Sequence, residues 1–401
     1  MKKLAAALGL SALLAAPFAS AAEPVGRVRV AFDRDGITAS QSEGFADLGA
    51  RRALTPDDPA RVASVSKLLA AIAVLRLVEQ GKLDLDADVS IVLGRPLRNP
   101  AFAGAPITLK MLLSHTSSLT DNAGYWNVPL GASSRIIIDT PEAWDRQHPP
   151  GTFFRYSNLN FVMIAEVMER ATGERFDRLM QQLVFVPLKI DACHNWSGCS
   201  AMAIERAVVL YDSSRMPQRD NLQGKAPDCT VIPGKDGGCG VDAHWQAGQN
   251  GAMFSPQGGV RISANGLARV GQMLLRGGEL DGVRILSAEA IALLTTPLWI
   301  FDGRNGVIGE EDEPNRGGFF CAYGLASQHI GRGIGVCRDD LFADGRRRIG
   351  HSGNAYGLLS GLWLDMDSGK GVAYFATGVG NDSDGQHSAF SQIEEQGAQG
   401  W

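Results

Sequence analysis

The stretch Val62-Ala63-Ser64-Val65-Ser66-Lys67-Leu68-Leu69-Ala70-Ala71-Ile72-Ala73-Val74-Leu75-Arg76-Leu77-Val78-Glu79-Gln80-Gly81 decides how the rest of the chain is read. Val62, Val65, Leu68, Leu69, Ile72, Leu75 and Val78 recur at helical spacing and Gly81 supplies a stop, so residues 62–81 are predicted to be a helix. Residues three apart share a helix face, which brings the Ser64 hydroxyl to the Lys67 amine. Ser66 is adjacent to Lys67 and points elsewhere. A serine hydroxyl is a weak nucleophile until a base removes its proton, and lysine is such a base only when neutral. Neutrality needs desolvation or a nearby cation. The apolar flank of the helix supplies desolvation, and its N-terminal backbone N–H groups face a developing oxyanion at Ser64. By itself the S-x-x-K spacing is common and also fits a helix start followed by a surface lysine.

Working outward, Val25 to Phe32 alternates as a strand does, with Gly44 to Leu54 as its expected hairpin partner. Leu83-Asp84-Leu85-Asp86 leaves the helix in a turn, and Thr108 is placed to cap a short helix reaching Ser114. Pro149-Pro150-Gly151-Thr152 marks a loop before an apolar helix over 158–171. Another helix is expected over 263–276. The C-terminal third turns to strands: Gly317 to Leu325, Arg347 to His351, Leu358 to Met366 and Gly371 to Val379, with a turn at Asp365 to Gly369 and a final helix over 386–396. Strands at both ends and helices between them predict an α+β fold. Its antiparallel sheet is built from both chain ends and flanked by helices, with a mostly helical inserted subdomain over about 80–250.

Two further elements follow the serine in order. Tyr156-Ser157-Asn158 precedes the second long helix: a phenol near a lysine can shuttle a proton, and an asparagine amide can both donate to and accept from a substrate amide. Each also fits a core tyrosine followed by a helix cap. Gly350-His351-Ser352-Gly353-Asn354 ends a strand run, where a histidine can orient a substrate and the Asn354 N–H can be an oxyanion donor. In this order the three elements resemble the S-x-x-K, Y-x-N and K/H-T/S-G motifs of the penicillin-recognising serine hydrolases, a resemblance spanning roughly residues 25–380. It is greatest to the branch holding class C β-lactamases, D-alanyl-D-alanine carboxypeptidases, D-aminopeptidases and related esterases. Leu112-Leu113-Ser114-His115-Thr116-Ser117-Ser118-Leu119 is similar to that family's LLSHTSGL segment with Ser118 in place of glycine. Ser255-Pro256-Gln257-Gly258-Gly259-Val260 with Ser263-Ala264 resembles its SPAGGL…SA segment, and Gly350 to Leu358 its GHTGGxxG segment. The resemblance implies a β-lactamase/transpeptidase-like fold, with Ser64 as acylated nucleophile, Lys67 as its base and Tyr156 as proton partner. It further implies Asn158, His351 and Gly353 at the substrate and the N–H groups of Ser64 and Asn354 as oxyanion donors. His351 stands where many members have lysine. Histidine is neutral over much of the physiological range, so recognition of a carboxylate is less expected here, and an esterase or D-amino-acid peptidase is favoured over a class C-like β-lactamase. A non-catalytic binding protein on the same fold is a third reading.

The rest of the sequence bounds these readings. The chain has 401 residues, 45% hydrophobic and 20% charged, with a formal net charge of -5, which is ordinary globular composition without the basic footprint of a nucleic-acid binder. Lys2 and Lys3 precede an apolar run from Leu4 to Phe18 and the small residues Ala19-Ser20-Ala21, the pattern of a cleaved signal peptide over 1–21. A hydrolase domain is then expected over 22–401, periplasmic or secreted in a bacterium, without a later membrane span. In an oxidising compartment six cysteines suggest disulfides. Proximity pairs them as Cys193–Cys199, Cys229–Cys239 and Cys321–Cys337, the first four stapling an irregular insertion over about 191–250. The alternative, a zinc site at Cys193, His194 and Cys199, lacks knuckle spacing. No metal or cofactor is expected, and the partner is a small-molecule or peptidoglycan-type substrate. Arg346-Arg347-Arg348 reads as a solvated strand start, though an arginine reaching the cleft could replace the missing lysine charge. Glu310-Glu311-Asp312-Glu313 reads as an exposed acidic loop.

Overall fold

The computed structural model describes residues 23–308, 320–336, 338, 340–380 and 385–401. The expected signal segment, the acidic loop at 310–313 and Cys337 lie outside these residues. An antiparallel sheet of nine strands is built from β1 (Gly26–Asp33), β2 (Ile37–Asp47), β3 (Arg52–Ala53), β4 (Trp299–Ile300), β5 (Ala322–Tyr323), β6 (Gln328–Ile330), β7 (Arg348–Ala355), β8 (Leu358–Asp365) and β9 (Lys370–Thr377). Across the sheet the order is β4-β5-β6-β7-β8-β9-β1-β2-β3. The two ends of the chain therefore meet at the β1/β9 ladder, in register from Gly26 opposite Thr377 to Asp33 opposite Lys370.

The layers are set by α1 (Val65–Glu79), α2 (Leu159–Thr172), α3 (Ala264–Leu275) and α4 (Gln392–Gln399). α1 and α3 lie on one face of the sheet with Val28, Val30, Phe32, Leu362, Leu364, Ala373 and Phe375, while α4 covers the other face over Trp363, Val372 and Tyr374. A strand covered on both faces carries apolar residues at adjacent positions, as β8 does at Leu358-Leu359 and Leu362-Trp363-Leu364, and β8 is buried throughout. α1 is buried on almost every side, from Val65 to Leu75 and at Leu77. It runs through the centre of the protein, between the sheet and the helical segments grouped around α2.

The expected strand at Gly44 to Leu54 is displaced. β2 begins at Ile37, a turn intervenes in which Asp47 Oδ1 accepts from the Ala50 N–H, and β3 is only two residues long. Most of β2 is exposed, so its pairing with β1 is carried by the backbone ladder and leaves no burial period in the sequence. The expected final helix over 386–396 starts instead at Gln392. Ser391 and Glu394 form a reciprocal capping box, and the N–H groups of Gln386, His387 and Ser388 are held by the Glu395 carboxylate outside the helix. In the Gly317 to Leu325 segment the strand covers Ala322–Tyr323 among the described residues. The Cys193–Cys199 and Cys229–Cys239 disulfides are present, so the first pair has no thiolate to offer a metal, and Cys321 is disulfide-bonded as well. Among the described residues no helix is long and apolar enough to cross a membrane.

Gly271 tests the α3–sheet contact. Alanine is the better helix former by about 1 kcal/mol, but a Cβ at 271 would overlap the Phe32 ring in the neighbouring strand. Overpacking of a tight core costs about 1–3 kcal/mol and so outweighs propensity. Gly271→Ala is expected to lower the denaturation midpoint, and Phe32→Leu in the same protein to restore part of the loss in a urea titration.

Candidate active site

The turn before α1 holds Ser64 from three sides. Val62 N–H donates to Val260 O, Ser360 Oγ donates to Val62 O, and the Val260 N–H donates to Ser66 Oγ. Ser66 is wholly buried and ties the helix start to a neighbouring strand, leaving Ser64 as the hydroxyl that lines a cleft of about 1200 Å³. Ala63 sits at φ 46°, in the left-handed region that a side chain enters only against strain, immediately before the serine. At 353 only glycine fits: a Cβ there would overlap Val62 O and lie 3.1 Å from the Ser64 nitrogen.

Lys67 is fully buried. Its Nζ lies 2.9 Å from Ser64 Oγ, 2.8 Å from Asn158 Oδ1 and 2.9 Å from Gln257 O. Burial pushes the amine down to about 7, only partly opposed by the Asp121 carboxylate. The donor count is informative. Two of the three neighbours, an amide oxygen and a carbonyl oxygen, can only accept. A neutral amine satisfies both with its two N–H bonds, and its lone pair is then left facing the Ser64 hydroxyl. Desolvation by burial, assisted by this geometry, makes Lys67 able to take the serine proton near neutral pH.

Asn158 owes its orientation to Asp121, which sequence reasoning did not single out. Asp121 accepts from Asn158 Nδ2 (2.8 Å), from Ser157 Oγ (2.8 Å) and from the N–H groups of Asn158 and Leu159 (3.0 Å each). It caps α2 from a distant loop, in place of the local cap that Asn158 could have been, and forces the Asn158 oxygen toward Lys67. A polar residue following the Leu112–Leu119 segment is the only trace it leaves in the sequence.

The Tyr156 phenol lies beside Ser64, and its ring centre is 4.8 Å from Lys67 Nζ. Burial raises the phenol far above its ordinary value, so at neutral pH it is a proton carrier rather than a resting phenolate. Behind it the His115 ring is stacked at 4.4 Å. His115 Nδ1 accepts from the Ser157 N–H (3.1 Å), which leaves its proton on Nε2, directed at Tyr323 Oη (3.2 Å). His351 Nδ1 can only donate to Ser352 O (2.6 Å), so its Nε2 accepts from the Tyr323 hydroxyl (2.9 Å). Each proton in this His115–Tyr323–His351 chain has one consistent place. Burial holds both histidines neutral, with His351 pushed down to about 3 and His115 well below its ordinary value. His351 is therefore buried and uncharged, with both ring nitrogens engaged inside the protein, while Asn158 and Asn354 line the cleft.

β7 presents its edge beside Ser64. It pairs with β6 only from Arg348 to Gly350, whereas its ladder with β8 continues to Ala355. The Ser352 N–H leaves on the β6 side, to Gln328 Oε1. N–H groups alternate sides along a strand, so the Asn354 N–H leaves on that same side, beyond the end of β6. An N–H from the start of α1 and one from this edge form the arrangement that binds a developing oxyanion. Ser118, which replaces the glycine of the resembled segment, sits at φ 66° and accepts from Asn99 Nδ2, so a side chain in a glycine conformation is compensated by a hydrogen bond.

With the fold and this geometry in place, the chain can be set beside known proteins. The Beta-lactamase family model matches residues 21–395, and the chain belongs to that family. It is 33% identical over 225 residues to the esterase EstB of Burkholderia gladioli, covering 51% of this chain and 55% of the esterase, so it spans about half the length of that relative. The D-amino acid amidase of Ochrobactrum anthropi SV3 has the same fold at 19% identity, with a TM-score of 0.64 over 93% of this chain and 91% of the amidase. A class C β-lactamase of Rhodobacter sphaeroides shares it at 17% identity and a TM-score of 0.60, with 88% of each chain covered.

Asp121→Ala removes the cap of α2 and frees the Asn158 amide to turn. Misplacement of a catalytic contact by about 1 Å can cost on the order of 10²-fold. Acylation of Ser64 by a fluorophosphonate is expected to slow by that order, with Asp121→Asn intermediate, in a stopped-time labelling assay.

Proposed function

We propose that this protein is an exported serine hydrolase that forms an acyl-enzyme on Ser64 and acts on an ester, an amide or a D-amino-acid peptide. The observation that carries the reading is the buried Lys67 amine, held between the Ser64 hydroxyl and two obligate acceptors. Neutral Lys67 takes the Ser64 proton as Oγ attacks the substrate carbonyl. The charge forming on the carbonyl oxygen is met by the N–H groups of Ser64 and Asn354. As the tetrahedral intermediate collapses, the leaving group takes a proton from Lys67 or, through the Ser64 contact, from Tyr156. Water then reaches the ester, its proton returns along the same two groups, and Ser64 is restored. The neutral, internally bonded His351 supports an esterase or amidase over a dedicated β-lactamase, because the cation that many relatives carry at that position is missing. The likeness to a curated esterase points the same way. The lysine pair, apolar run and small residues at the N-terminus, together with the disulfides, support export.

A panel of p-nitrophenyl esters, D-amino-acid anilides, D-Ala-D-Ala peptides and nitrocefin, run on the wild type and on Ser64→Ala, tests the reading. Turnover of esters or anilides that vanishes in Ser64→Ala supports it. Absence of turnover and of any fluorophosphonate adduct overturns it, and nitrocefin as the best substrate would replace it with a β-lactamase.

The pH dependence follows from Lys67. Its amine must be neutral to act and gains a proton as pH falls through about 7, so kcat/KM on an uncharged ester should rise with pH and bend near 7. Lys67→Arg should remain inactive at every pH, down about 10²–10⁴-fold, because a guanidinium does not become a neutral base.

A further inference from the structure

The cleft wall around Ser64 is unequally charged. Among its described lining residues are three arginines, Arg61, Arg219 and Arg261, against one carboxylate, Asp220. That carboxylate is already committed. It accepts from Arg261 through both oxygens, at 3.1 and 2.9 Å, and from the Trp196 indole at 2.9 Å. Arg261 is further bonded to Asn195 Oδ1.

Arg61 is the opposite case. It stands directly across the strand pair from Arg261, a like-charged neighbour, and opposed like charges destabilise such a pair. It is nine-tenths buried, its Nε is a buried donor without an acceptor, and among the described residues its guanidinium makes no hydrogen bond or ion pair. The Tyr356 ring lies 5.1 Å from the guanidinium carbon, with Arg219 at 4.7 Å from the same ring, and the Asp220 carboxylate, bonded to Arg261, acts on Arg61 only through space. Tyr356 is held in place by a strained turn, at φ 55° between β7 and β8. A buried cation without a counter-ion is expensive and is rarely retained unless something supplies the missing charge. The arginines at 346–348, named from the sequence as a possible replacement for the missing lysine, do not fill this role: none of them lines the cleft, Arg346 pairs with Asp365, Arg348 with Asp344, and Arg347 donates to Gly333 O.

We propose that Arg61, with Arg219 and the Tyr356 ring, forms a carboxylate-binding subsite in the Ser64 cleft, and that the substrate is an acyl donor bearing a carboxylate. This rests on the Ser64 cleft being where substrate binds, as proposed above. Arg61 stands three positions before Ser64 in the chain and both line the same cleft, so the subsite and the acylated oxygen belong together. This positive charge stands just before Ser64 in the chain, apart from the His351 position where many relatives carry lysine. Arginine suits the task, since its planar fork matches a carboxylate with two hydrogen bonds and it stays charged.

Binding to the Ser64→Ala protein, which cannot turn the ligand over, tests this by calorimetry. The probes are the anilides of succinic, glutaric and adipic half-acids, with pentanoyl anilide as the uncharged comparator. At least one carboxylate probe is expected to bind about tenfold or more tightly than the comparator. Arg61→Met in that protein should erase the difference and leave pentanoyl anilide affinity in place, and Arg61→Lys should keep part of it. Equal affinity for charged and uncharged probes overturns the proposal, and so does a preference that survives in folded Arg61→Met. If Arg61→Met does not fold, the comparison of probes on the Ser64→Ala protein and on its Arg61→Lys variant decides the matter. The readout is binding, so a failure here leaves Ser64 acylation by the ester panel untouched, and a failure of acylation leaves the binding result readable.

Discussion

An amine without water is the constraint on which the rest of this structure depends. Lys67 sits at full burial in the middle of the protein, and placing a charge there is costly enough that its proton is held only weakly. Its three neighbours come from three separate parts of the chain: Ser64 from the same helix, Asn158 from the start of α2, and Gln257 from the segment before the Val260–Ile262 strand. Each is fixed in turn by a contact of its own. Ser64 is held by the turn that Ser360 and Val260 clamp, Asn158 by Asp121, and the Gln257 segment by the strand that pairs with Ala60–Arg61. Ser64 and Lys67 share a helix turn, but the desolvation that lowers the Lys67 amine is a property of the whole interior.

The same logic extends outward through the aromatic layer. His115, Tyr323 and His351 are each buried polar groups, and burial is tolerable because the protons of the chain have donors and acceptors in sequence. The result is a rigid, neutral backing for Tyr156. The charge that a lysine-bearing relative carries at the His351 position is absent, and the cleft carries cations at Arg61 and Arg219 that no carboxylate bonds among the described residues. Electrostatics on the two sides of Ser64 are thus unequal, with a neutral wall behind the phenol and a positive wall toward Tyr356.

Much of the architecture was legible residue by residue where periodicity and burial agree. β8 and β9 are apolar runs because both faces are covered, α3 is marked by its apolar stripe and by Ser263 as a cap, and the short helix after Thr108 begins where its side chain accepts from the Met111 N–H. Failures fell where local signal and tertiary cause part. β2 is an exposed strand held by its ladder. Residues 386–388 look helical but are captured by the Glu395 carboxylate. Asp121 is isolated in sequence, and only the chain's path brings it to the start of α2.

What the sequence by itself determined is the set of chemical partners. A serine and lysine one helical turn apart, a Tyr-x-Asn, a His-Ser-Gly-Asn at a strand end and a sheet closed by both termini all follow from spacing, periodicity and the family resemblance those motifs carry. What only the tertiary structure decided is the state of those partners. Whether Lys67 is neutral, which way the Asn158 amide points, that His351 is uncharged and internally bonded, and that the Arg61 guanidinium is buried without a bonded partner among the described residues all depend on burial. Burial and the contacts that set it come from segments tens to hundreds of residues apart, and desolvation and hydrogen-bond orientation act through space rather than along the chain.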